Sequence, residues 1–117
     1  MILHIISRQG WAAAQAAGAV RDPSLAEQGF VHCSDFGTAH LPANFLFAGR
    51  TDLLLLVIDP ALVPVRWEPA DPPRPDAPWF PHVYGPIPVS AVTAAHEFPP
   101  GPDGTFRLPA VLAGGAT

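Results

Sequence analysis

The chain has 117 residues, 49% of them hydrophobic and 14% charged, with a formal net charge of −4. That length supports one domain around one ordinary core, and its six basic residues do not cluster, which excludes the basic stripe that a nucleic-acid or anionic-membrane surface needs. A single cysteine excludes an internal disulfide, and the longest apolar run, Leu53 to Ile58, is far too short to span a bilayer. The first residues show no charged region followed by an apolar run, so cytoplasmic residence is the expectation.

Leu3 to Ile6 reads as a first strand, β-branched and apolar, with His4 inside it. Ser7 suits the N-cap of a helix over Arg8 to Ala17, which Gly18 stops and which packs through Trp11 and Ala14. Arg21-Asp22-Pro23 is a break, and Ser24 caps a short turn through Glu27. A second strand follows over Phe30 to Cys33. Its alternation puts Phe30 and His32 on one face and Val31 and Cys33 on the other. An imidazole on the same face as a phenylalanine is partly buried and needs a partner. Ser34 or Asp35 then caps a helix running to about Phe47, kinked in its middle by Pro42.

Thr51 to Ile58 is the strongest strand, and its lack of alternation implies a central position buried on both faces. Asp59-Pro60 ends it, and Val65 to Trp67 gives another extended piece. Of the 16 prolines, 14 lie beyond position 59, and Pro69 to Pro81 reads as an irregular or polyproline-type loop, not as helix or central strand. Trp79-Phe80 at its end favours a docked lid, since both rings are costly to leave in water. Val89 to Phe98 reads as the last long strand, paired through an Asp103-Gly104 hairpin with Thr105 to Leu108. Residues 1–109 then make a single domain and 110–117 a flexible, Gly-rich tail. Two N-terminal helices followed mostly by strands give an α+β fold class.

Three of the five histidines sit in unusual settings: His4, His32 and His82. In an extended Phe80-Pro81-His82-Val83-Tyr84, the residues Phe80, His82 and Tyr84 share a face suited to stacking on a planar ligand such as a nicotinamide or a base. The same face also serves as a plug for the core. His40 and His96 read as structural surface positions. No C-x-x-C or H-x-x-x-H pair is present and His32 and Cys33 point apart, so no metal is expected. Cys33 beside Val31 reads as an inert core thiol. Phosphate-cradling Gly-rich loops and a G-x-S-x-G elbow are absent, while Asp35, Glu68 and Glu97 stay open as acid–base carboxylates.

The stretches Ile2-Leu3-His4-Ile5, GFVHCS from Gly29 to Ser34, LLLLVIDP from Leu53 to Pro60, VRWEP from Val65 to Pro69 and FPHVYGPIP from Phe80 to Pro88 come in a distinctive order. With the Trp11 helix and Ser24-Leu25, they resemble the bacterial domain of unknown function 952 family over about positions 2 to 108. That family is similar in fold to the ADP-ribosyltransferases, which implies a small split, mixed β-sheet clasping NAD. The resemblance further implies that His4 holds a ribose of NAD and that His32 and Ser34 stand near the nicotinamide ribose. For the acidic residue of the third motif the sequence offers no match; His82 and Tyr84 are its conspicuous polar residues.

The leading expectation is a cleft lined by His4, His32, Ser34, His82 and Tyr84, with Phe80 against the ligand. It would bind NAD or a related nucleotide or metabolite and transfer ADP-ribose to a small acceptor. A non-catalytic module docking a protein partner or metabolite through the proline-rich loop is the alternative, and a hydrolase acting through His32 or Cys33 is a third reading. Oligomeric state is not legible from the sequence.

Overall fold

A computed structural model describes residues 1–70 and 73–113 and confirms the α+β class. Asp71 and Pro72 of the expected lid, and residues 114–117 of the expected tail, lie outside the described residues. The elements run β1 (Ile2–Ser7), α1 (Arg8–Ala17), β2 (Ala19–Val20), α2 (Pro23–Gln28), β3 (Val31–His32), α3 (His40–Leu46), β4 (Leu53–Ile58), β5 (Val65–Pro69), β6 (Trp79–Val83), β7 (Ile87–Pro88) and β8 (Val92–Glu97). Two three-stranded sheets, β1-β4-β8 and β3-β6-β5, carry the fold, with β2 and β7 as a short pair. Every strand pairing among the described residues is antiparallel, so the sheet is split but not mixed.

The central position expected for the longest apolar run is observed. All six residues of β4 are buried, and β1 and β8 flank it. Its alternate side chains feed two cores. Leu56 and Ile58 meet Val31, Val83 and Ile87, whereas Leu53, Leu55 and Val57 meet Phe98, Phe106, Leu112 and the Ala39 and Ala43 methyls. Burial of both faces explains why the sequence there shows no polar alternation.

Local rules set the helix ends. Ser7 accepts from the Gly10 amide and Gly18 closes α1 at a φ of 89°, where a side chain would be strained. A Ser7→Ala variant is expected to lose about 1 kcal/mol of stability, read as a lower denaturant midpoint at unchanged slope. Asp22, not Ser24, caps α2, with Pro23 at its first position.

Four expectations are corrected. The helix expected from Asp35 begins only at His40; Asp35 and Thr38 close a separate turn, and Pro42 then falls in the first turn of α3, where no amide is needed. Pro81 lies in β6, the middle strand of its sheet. Its carbonyl accepts from the Cys33 amide on the β3 side. The missing N–H therefore faces the end of a two-residue strand, where little pairing is lost. Trp79 is not docked but 58% exposed. Thr105 to Leu108 forms no strand: the Phe106 backbone is clamped by both ends of the Asn44 amide, at 2.7 and 3.0 Å, because its ring packs on Phe98. Ala110–Leu112 forms a 3-10 turn, and Leu112 is buried in the same core.

Candidate functional site

The two sheets meet where β1 approaches the segment after β3. Leu3 and Ser34 exchange both backbone hydrogen bonds at 2.7 Å, pinning the first strand beside the Gly29–Asp35 stretch. The split between the sheets holds a cavity of about 700 Å³, within the usual range for small-molecule sites. His4, His32, Ser34, Phe80 and His82 all line it. Residues from the beginning, first third and last third of the chain are thus brought together. Tyr84 does not line the cavity.

His4 is 4% exposed and donates its Nδ1–H to the His32 carbonyl at 2.7 Å. Burial pushes its pKa down, outweighing the His32 hydrogen bond and the charge of Asp22, so the ring is neutral. The lone pair then lies on Nε2, a buried atom with no hydrogen-bond partner among the described residues. Asp22 Oδ2 stands 3.8 Å away, too far for a hydrogen bond, while Oδ1 of the same carboxylate caps α2 through the Ser24 amide. The cap fixes the carboxylate, and Asp22 lines the cavity.

His32 is exposed, contrary to the expected partial burial. Its Nε2–H donates to Gln28 Oε1 at 2.7 Å, one turn back on α2. Ser24 bonds the Phe30 carbonyl at 2.8 Å and ties α2 to β3. Val31 and Cys33 face the core as the alternation requires. Burial pushes the Cys33 thiol well above its ordinary range, which leaves no nucleophile there.

The register of β3, β6 and β5 sets His32, His82 and Arg66 side by side, and Phe80 opposite Glu68. The expected stacking face is present but already used: Phe30 lies parallel on His82 at 4.1 Å, with an interplanar angle of 13°. His82 is buried and donates Nδ1–H to Glu68 Oε1 at 2.8 Å; the Tyr84 hydroxyl donates to the same oxygen at 2.6 Å. Arg66 sits 5.0 Å over the Tyr84 ring. Tyr84 therefore supports the site from behind, and of the expected stacking face Phe80 is the aromatic ring left to a ligand.

The rim is apolar. Leu41, Pro42, Phe45 and Leu46 come from α3, with Phe45 85% exposed, and Ala77 and Pro78 come from the proline-rich segment. Arg74 is the one cation among the lining residues. Among the described residues, no three His, Cys, Asp or Glu side chains group closely enough to hold a metal ion, and no helix is long and apolar enough to cross a membrane.

Sequence reasoning missed Asp22, Gln28 and Arg74. The Asp-Pro-Ser order was a capping signal that could have found Asp22. The partnership of Glu68 with His82 was hidden by the intervening prolines, which obscure the register of β5 on β6.

A family model described as "Protein of unknown function (DUF952)" matches residues 5–95. The crystal structure of protein CC0527 from Caulobacter crescentus is similar at a TM-score of 0.80 and 32% identity, covering 92% of this chain and 93% of that one. The solution NMR structure of CC0527 gives a TM-score of 0.75 at 31% identity, covering 95% and 92%. No curated protein matches the chain.

Proposed function

The chain belongs to the DUF952 family, and from that premise we propose that its cleft binds NAD or a related nucleotide and transfers ADP-ribose from it to a small acceptor. The observation that carries this reading is the pair formed by His4 Nε2 and Asp22 Oδ2, two acceptors 3.8 Å apart with no donor between them among the described residues. A ribose presents two adjacent hydroxyls, and with a small shift that opens the enclosed Nε2 to the cavity each donates to one of these atoms at about 2.8 Å. A buried lone pair is costly unless such a donor arrives, so the site favours a hydroxyl-bearing ligand over water-free apolar ones.

The rest of the cavity agrees with a nucleotide. Phe80 and the apolar rim offer a surface for a planar base, and Arg74 offers a cation for phosphate oxygens. Asp22 also supplies negative charge beside the ribose. Positive charge develops on that sugar as a glycosidic bond breaks, and a fixed carboxylate stabilises it. An ADP-ribosyltransferase-like arrangement of two sheets around NAD is part of this proposal.

Titrating the labelled protein with NAD and following backbone amides tests the reading. Shifts are expected in Leu3 to Ile5, Gly29 to Asp35 and Phe80 to Tyr84. No movement in these stretches at millimolar NAD overturns it. A second reading, a non-catalytic module docking a protein partner, is favoured by Trp67 and Trp79, which are 48% and 58% exposed on the same face of the β5–β6 pair.

A further inference from the structure

We infer that His82 is the general base that takes the proton from the acceptor, which makes the acceptor a hydroxyl compound or water, and that Glu68 and Tyr84 are the positioning residues behind it. This rests on the nucleotide-transfer reading above and adds to it the acceptor class and the path of the proton.

A three-member chain across β5 and β6 carries the inference. Glu68 Oε1 accepts from both the Tyr84 hydroxyl, at 2.6 Å, and His82 Nδ1, at 2.8 Å. These two hydrogen bonds, Tyr84 first, hold the Glu68 carboxyl below the usual carboxylate range and keep it ionised. An ionised acceptor at Nδ1 fixes the imidazole proton there, so a neutral His82 carries its lone pair on Nε2. Phe30 covers one ring face. His82 lines the cavity and Glu68 does not, which leaves Nε2 as the ring nitrogen open to a ligand. An oriented imidazole whose neutral form turns its bare nitrogen to a cavity wall is the arrangement of a general base.

Among the described residues, the other charged and titratable groups around the ring are His32, Arg66, Asp22 and Arg74. His32 lies 5.4 Å away between centroids, and Arg66 faces His82 across the β5–β6 ladder while covering the Tyr84 ring. Asp22 and Arg74 share the cavity.

The bond from the ribose C1′ to the nicotinamide nitrogen breaks, and its electron pair leaves on nicotinamide. The acceptor oxygen forms the new bond to C1′, and its proton passes to His82 Nε2. The resulting imidazolium is stabilised by Glu68 and later returns the proton to solvent.

The experiment compares the full-length wild type with Glu68→Gln and Tyr84→Phe. NAD affinity is measured for each, and nicotinamide release is followed in water and in water containing methanol. The wild type is expected to release nicotinamide, and to form a methyl product when methanol is present. Glu68→Gln should lower release about 100-fold, since the carboxylate no longer stabilises the imidazolium. Tyr84→Phe should show a smaller change in the same direction, and NAD affinity should stay within about threefold for both. A wild type that binds NAD yet releases nothing in either solvent overturns the base assignment alone. So does release by Glu68→Gln at the wild-type rate, or affinity lost in parallel with rate. Absence of NAD binding by the wild type overturns the nucleotide reading itself, and this inference with it.

Discussion

Replacing His4 with alanine is expected to weaken NAD binding by about 10- to 100-fold, the cost of losing one well-placed acceptor in a desolvated site. The effect should be large because Nε2 has no other partner among the described residues and is held in place by the 2.7 Å bond from Nδ1 to the His32 carbonyl. Isothermal titration of the two proteins checks it. His4 should also leave a mark on stability in the absence of ligand. Burial lowers its folded pKa below the ordinary 6.5. Above that value neither state binds the proton and the contribution of His4 is intact. As pH falls below it, the unfolded chain takes up a proton that the folded chain refuses. Stability is then lost by up to about 1.4 kcal/mol per pH unit until the folded pKa is reached. A His4→Gln variant should show a flatter unfolding free energy across that acidic window. A slope equal to the wild type would contradict burial of a neutral ring.

Truncating Phe98 to alanine should cost about 3–5 kcal/mol, a large share of the stability of a domain this size. Phe98 is fully buried, packs 5.2 Å from the Phe106 ring, and bonds the Leu53 carbonyl through its amide. Its loss opens a cavity that the Asn44 clamp on Phe106 prevents from closing. Neither Phe98 nor Phe106 lines the cavity, so ligand affinity in the folded fraction should change little. Chemical denaturation of the variant, with NAD affinity measured below its transition, separates the two effects.

Where a residue's neighbours along the chain set its role, the sequence was readable. The apolar run of β4, the Ser7 cap and Gly18 stop of α1, and the alternation that sends Val31 and Cys33 inward are all local. That three histidines line one cavity followed from their place on separate extended segments. Long-range register was not readable. Pro81 looked incompatible with a middle strand because the shortness of β3, which makes it tolerable, cannot be seen in one segment. Glu68 could not be assigned to His82 without the pairing of β5 with β6, nor Asp22 to His4 without the docking of α2 beside β1. Pro42 was misread for the opposite reason: a strong local signal belonged to a helix start instead of a helix middle.

The central claim is that His4 offers a bare Nε2 to a ligand hydroxyl. The side-chain nitrogen spectrum of the protein reads this directly. In the free protein the account predicts a neutral His4 protonated on Nδ1, with an Nε2 signal that moves on addition of NAD in the direction of a hydrogen-bond acceptor. A proton found on Nε2, or a signal unmoved at saturating NAD, contradicts it.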